Sequence, residues 1–176
     1  MSEVERSLGR ASEWGERNLV QFNPTKTQVC AFTAKKDPFV MAPQFQGVTL
    51  PISESIGILG VKISSKVQFG SHLEDKAKLA SKKLGVLNRA RRYFTPRQRL
   101  VLYKAQVRPH VEYCSHLWAG EPKYQLDPLD SLQRRAVRIV GDPNLTDRLE
   151  SLEQRRLWVT LCTLPTLSRG VLRGTV

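Results

Sequence analysis

The chain has 176 residues, enough for one ordinary domain or two small ones. Forty per cent are hydrophobic, so a core can form and wholesale disorder is excluded. A net charge of +12 favours a polyanionic partner, and no apolar run approaches the roughly 18 residues of a spanning helix. The N-terminus, MSEVERSLGR, carries acids early and no apolar centre, so it is not a secretory signal. Cys30, Cys114 and Cys162 are few, far apart and odd in number. They read as buried thiols of an intracellular protein, cytoplasmic or nuclear, with no disulfide framework.

Residues 3–17 fit a short amphipathic helix on Val4, Leu8, Ala11 and Trp14 or Gly15. Its abrupt start, without a cap, suggests a chain cut from something longer. Asn18 to Thr27 turns at Asn23-Pro24, and Gln28 to Ala34 alternates as a strand. Lys35 to Pro38 breaks that strand. Phe45-Gln46-Gly47-Val48 reads as a tight hairpin. Ile56 to Ile63 reads as one strand, with a bulge or close backbone approach at Gly60.

From Ser71 the pattern turns helical. Leu73, Ala77, Ala80, Leu84 and Leu87 alternate at steps of four and three and make one apolar stripe. Lys76, Lys78, Lys82, Lys83, Arg89, Arg91 and Arg92 occupy the other faces. Thr95, Pro96 and Gln98 supply a capping box and a first-turn proline, opening a second helix. Its stripe runs Leu100, Tyr103, Val107, Val111, Cys114 and Trp118. Asp127-Pro128 starts a third helix on Leu129, Leu132, Ala136, Ile139 and Val140, and Gly141 stops it. Thr146 caps a fourth, carrying Leu149, Leu152 and Leu157. The expected class is α+β: a small antiparallel β part over 1–70, a basic helical bundle over 71–160, and a tail over 161–176.

Catalytic patterns are sparse. His110, Cys114 and His116 lie close in sequence, but one helix does not bring all three to one face, and a structural metal site needs about four ligands. They read as a core thiol and two ordinary histidines, so no metal site is expected. Asp127 and Asp130 are explained by helix capping. No glycine-rich phosphate loop, HExxH or GxSxG occurs. The basic hairpin of helices is the strongest feature, because no acid follows Asp75 until Glu112.

The order FNPTKT, strand, hairpin, ILGVKI, HLEDKAK resembles the late part of a reverse transcriptase, specifically that of jockey-like non-LTR retrotransposons. LGVLNRARRYFTPRQRLVLYKAQVRPHVEYCSHLWAG and LDSLQRRAVRIV resemble the same family, and the match runs from about Trp14 to Arg156. The resemblance implies an RNA-directed DNA polymerase ancestry. It makes Lys26 the family's lysine near the incoming nucleotide, a possible proton donor to pyrophosphate; without it, Lys26 is a solvated turn lysine. It makes Leu59 and Gly60 part of a primer-grip hairpin, where they are otherwise plain core strand. It makes 72–141 a thumb-like bundle gripping RNA or RNA/DNA duplex by its phosphates. Lys76, Lys83, Arg89, Arg91, Arg92, Arg97 and Arg99 are the candidate contacts.

The family's polymerase uses Mg²⁺ held by carboxylates, including a Tyr-x-Asp-Asp turn that this sequence lacks. The expectation is therefore a truncated polymerase with no cofactor of its own, inactive alone. The alternatives are a non-catalytic basic module that binds nucleic acid, or a relic without a selected role. From about Trp158 the resemblance stops. Codons permitted for Leu164–Val176, read one base later, encode Y-R-L-Y-R-G-E-C-S-E-E-L, which resembles the family's continuation. A frameshift between about Trp158 and Leu164 is expected, leaving a poorly ordered tail in which Pro165, Ser168, Gly170 and Gly174 fit no helical period.

Overall fold

The structure is a computed structural model that describes residues 3–33 and 42–171, the stretch 164–171 as backbone alone. The fold is α+β: two small antiparallel sheets precede a run of helices. Two compact units divide it, Met1–Gln68 and Phe69–Val176.

In the first unit, α1 spans Glu3–Arg17, the range its apolar spacing predicts. Asn23 then caps a 3-10 turn, Pro24–Lys26, with its side chain accepting from the Thr25 amide at 3.0 Å. The strand expected over Gln28–Ala34 does not form in the described residues. Val29 instead makes one parallel bridge to Ile52. Its amide donates to the Pro51 carbonyl and its carbonyl accepts from the Ser53 amide. Pro51 has no N–H to extend the ladder, which accounts for the single bridge. Ala34 and the break expected at Lys35 to Pro38 lie outside the described residues.

The hairpin predicted at Phe45–Val48 is present. β1 (Gln44–Phe45) pairs with β2 (Val48–Thr49), Phe45 opposite Val48. Gln46 and Gly47 both have positive φ, 49° and 77°, the signature of a two-residue type I′ turn. A second hairpin replaces the strand expected over Ile56–Ile63. β3 (Ser55–Ile58) pairs with β4 (Val61–Ser64), and Ile58 sits opposite Val61. Leu59 and Gly60 are the turn, at φ 48° and 80°. Gly60 is therefore a turn residue, not a bulge. Phe45, Leu50 and Val61 are the buried hydrophobic side chains of this unit's described residues.

The second unit is a helical bundle. α2 (Gly70–Ala90) buries Leu73, Ala80, Leu84 and Leu87 along the predicted stripe. A 3-10 turn, Arg91–Tyr93, follows. α3 (Pro96–Leu102) opens on the expected capping box: Thr95 accepts from the Gln98 amide at 3.4 Å, and Gln98 accepts from the Thr95 amide at 2.9 Å. The second stripe is buried at Leu100, Tyr103, Val107, Val111 and Trp118, but not on one helix. Tyr103–Val107 is a π turn in which Arg108 donates to the Tyr103 carbonyl. Pro109, which has no amide hydrogen, follows directly, so the wider turn accommodates the missing bond. α4 is Arg108–Glu112 and α5 is Ser115–Trp118. Between them Cys114 lies half-buried in left-handed backbone, φ 52°. The Tyr103 hydroxyl is buried without a hydrogen-bond partner among the described residues, and burial pushes its pKa up to about 12.

α6 (Lys123–Val140) begins before the predicted Asp127 cap and carries Pro128 inside its N-terminal part. The predicted inner face, Leu129 to Val140, is buried, and Gly141 ends the helix with φ 70°. Asp142 caps α7 (Pro143–Thr146). Thr146 closes that turn, its hydroxyl donating to the Asp142 and Pro143 carbonyls, so it is not the cap of the next helix. Ser151 is: its hydroxyl accepts from the Gln154 amide at 3.1 Å and the Gln154 side chain answers at 3.4 Å, a second capping box. α8 runs Leu152–Val171. Its backbone is thus helical past Leu164, where the sequence pattern shows no helical period.

Packing joins α2 to α6 and α4, α3 to α6, and α5 to α8. Arg156 on α8 is 4% exposed, and its guanidinium donates to both oxygens of Asp130 on α6, at 2.8 and 3.0 Å. Asp130 therefore holds a buried cation and caps nothing. Asp127 lies inside α6 and is exposed.

Candidate nucleic-acid interface

Many of the bundle's cations come from one stretch without counter-charge of its own. Between Lys76 and Arg108 there are eleven Lys and Arg and no Asp or Glu. Outside partners are few: Lys78 pairs with Glu74 at 2.6 Å on exposed helix surface, and Arg108 reaches Glu112 at 3.6 Å. The Lys78 pair is solvated and contributes little to stability. It lowers the Glu74 pKa and raises that of Lys78, in both cases chiefly through their hydrogen bond.

α2 and α4 bring part of the predicted set together. Lys76 lies 5.6 Å from the Tyr113 ring centroid, a cation–π distance. His110 on α4 is held below its ordinary pKa by burial first, then by Lys83 and Lys76. His72 is lowered by burial and then by Lys76, with Asp75 opposing. Burial is the larger cause of both shifts; the lysine contribution places like charge from α2 beside His110 on α4. At the far end of α2, Arg89, Arg91 and Arg92 are exposed, and Arg97 is exposed on the first turn of α3.

Arg99 is used differently. Its Nη1 donates to the Ile139 and Val140 carbonyls at 2.7 and 3.0 Å, and its Nε to the Phe94 carbonyl at 3.0 Å. It satisfies the free carbonyls at the end of α6 and ties α3 to it. Its guanidinium is thereby engaged within the bundle. The stretch also conceals His110: read as an ordinary histidine, it sits among the cations, and only the α2–α4 packing brings it there.

The other predicted residues belong to the first unit. Lys26 ends the 3-10 turn and is exposed. Leu59 is 86% exposed at the hairpin tip. A large apolar residue in left-handed backbone is strained, and strain of this kind concentrates at functional positions. Among the described residues no three His, Cys, Asp or Glu side chains converge. His110 and His116 fall on different helices, with Cys114 between them. No helix of the described residues is long and apolar enough to cross a membrane.

No family model matches the chain, and no solved structure does. The chain is similar to the probable RNA-directed DNA polymerase from transposon BS of Drosophila melanogaster, 27% identical over 144 residues. That alignment takes in 79% of this chain but only 16% of the relative's length. The similarity is distant, and it supports a relationship to the reverse transcriptases of transposons.

Proposed function

We propose that this chain is a C-terminal piece of a jockey-like retrotransposon reverse transcriptase, and that its bundle grips RNA or RNA/DNA duplex by the phosphate backbone. The observation that carries the reading is the acid-free basic stretch, folded so that Lys76 and Lys83 of α2 neighbour His110 of α4 while Arg89, Arg91, Arg92 and Arg97 stay exposed. The distant polymerase similarity supports the same partner. The Leu59–Gly60 hairpin, with its exposed and strained tip, is offered as the primer-contacting element. Lys26 is offered as the proton donor of the intact polymerase, a role its ammonium chemistry suits. Nucleotidyl transfer of that kind uses two metal ions held by carboxylates. The described residues gather no such set, so no step through a metal is assigned to this chain.

Salt dependence tests the reading. Binding to a duplex should weaken linearly in log–log form as salt rises, with about 0.9 of slope for each phosphate contact on B-form DNA. Replacing Arg89, Arg91 and Arg92 with alanine should lower the slope, and an unchanged slope would place the contacts elsewhere. A non-catalytic binding module would use the same surface at physiological salt. A relic would hold duplex only weakly and at low salt.

A further inference from the structure

We infer that the corner between α2 and α3 takes an unpaired nucleobase, from a strand leaving the duplex, against Tyr93. This rests on the nucleic-acid reading above and adds a substrate class to it.

Tyr93 is 70% exposed on the 3-10 turn, among arginines. Its ring is nonetheless held. The Arg92 guanidinium stacks 4.8 Å from the ring centroid, and its Nη2 donates to the Tyr93 hydroxyl at 2.7 Å. One ring face is thus backed by a cation while the residue as a whole stays open to solvent. A ring fixed in this way loses little freedom when a second flat group stacks on it.

The next residue, Phe94, begins a groove of about 540 Å³ lined also by Thr95, Arg97, Gln98, Val101 and Leu102. The Thr95 hydroxyl and the Gln98 side-chain oxygen are engaged in the capping box. What remains is an apolar wall, Phe94, Val101 and Leu102, with the Arg97 cation beside it. Val101 is exposed on α3.

The chemistry selects the occupant. A duplex backbone alone would leave that apolar wall in water. Bases inside a duplex present edges, not faces. A single-stranded segment supplies both parts: phosphates for Arg91, Arg92 and Arg97, and a π-face for Tyr93. The absence of any carboxylate between Lys76 and Arg108 suits that anionic strand.

The test uses the full chain, a blunt RNA/DNA duplex, and the same duplex bearing a single-stranded extension with 2-aminopurine. Tyr93→Ala should weaken binding of the extended duplex about five-fold or more. It should leave the blunt duplex unchanged and abolish quenching of the 2-aminopurine. Tyr93→Phe should keep the quenching, because the ring carries the stack. Val101→Ser, at an exposed position and without added charge, is the second variant and should weaken the extended duplex selectively. Equal losses on both substrates, or no loss on either, would overturn the inference. So would displacement of the extension by polyglutamate as readily as by free oligonucleotide. Replacing Arg89, Arg91 and Arg92 with alanine should weaken both substrates. If that variant behaves as expected while Tyr93→Ala does nothing, the duplex reading stands and this one falls; if the wild-type chain binds neither substrate, both fall.

Discussion

The two units reach stability by different routes. The bundle encloses a long series of apolar side chains, from Leu73 through Leu152, and its α3 and α8 open on capping boxes. Each fully buried leucine or valine there contributes about 1.5–3 kcal/mol relative to exposure. The first unit has two short hairpins and a thin core of Phe45, Leu50 and Val61. Among the described residues it also carries four of the five non-glycine residues with positive φ: Leu19, Gln46, Leu59 and Val67, against Cys114 in the bundle. The bundle is packed and locally consistent; the hairpin unit is lightly packed and locally strained. Substitutions should therefore damage the bundle by removing contacts and improve the hairpin unit by relieving backbone.

The largest effect is expected at the α6–α8 ion pair. Asp130→Ala leaves the Arg156 guanidinium buried at 4% exposure with neither carboxylate oxygen to meet it. Removing one partner of such a pair costs about 3–5 kcal/mol, read as a fall in the denaturation midpoint. A midpoint within error of wild type would mean that water reaches Arg156 freely. Next comes Leu84, fully buried on α2. Leu84→Ala should cost about 2–5 kcal/mol through lost burial and the cavity left behind. An unchanged thermal midpoint would show that Leu84 is not packed.

The sign should reverse at the hairpin tip. Leu59→Gly removes the Cβ that makes φ 48° costly, and should stabilise the first unit by about 1 kcal/mol. If Leu59 meets the primer as proposed, the same change should weaken binding to a primer–template duplex. A more stable variant with undiminished binding would leave Leu59 as an exposed turn residue without that role.

The features that read correctly from sequence are local and chemically unambiguous. Thr95-Pro96-Gln98 can hardly be other than a helix start, Gly141 is a natural stop, and Gln46-Gly47 suits a tight hairpin. The apolar stripe of α2 reads directly because a helix repeats its faces at a fixed interval. The second hairpin was hidden because leucine is a poor resident of positive φ, so Leu59-Gly60 passes for strand interior. Ser151–Gln154 is a legible capping box, but Thr146, in the short helix before it, offers a competing cap signal. Arg99 illustrates a deeper limit. An arginine facing phosphate and one facing helix-end carbonyls look alike in sequence, and only the packing of α3 on α6 separates them.

The smallest effect concerns pH and again separates the units, since all three histidines (His72, His110 and His116) belong to the bundle. In the fold, burial and the neighbouring Lys83 and Lys76 hold the His110 pKa below its ordinary 6.5. The unfolded chain, free of those neighbours, takes up the proton first as pH falls. Stability present above the ordinary value is therefore lost as pH falls through the lowered folded value. The thermal midpoint of the bundle should decline over this range. His110→Gln, which has no ring to protonate, should make the decline shallower without abolishing it, because His72 is shifted in the same direction. Affinity should move the other way in the wild type, since a protonated His110 adds a cation beside Lys76 and Lys83. A decline equally steep in His110→Gln would show that neither burial nor the neighbouring lysines shift His110 in the fold.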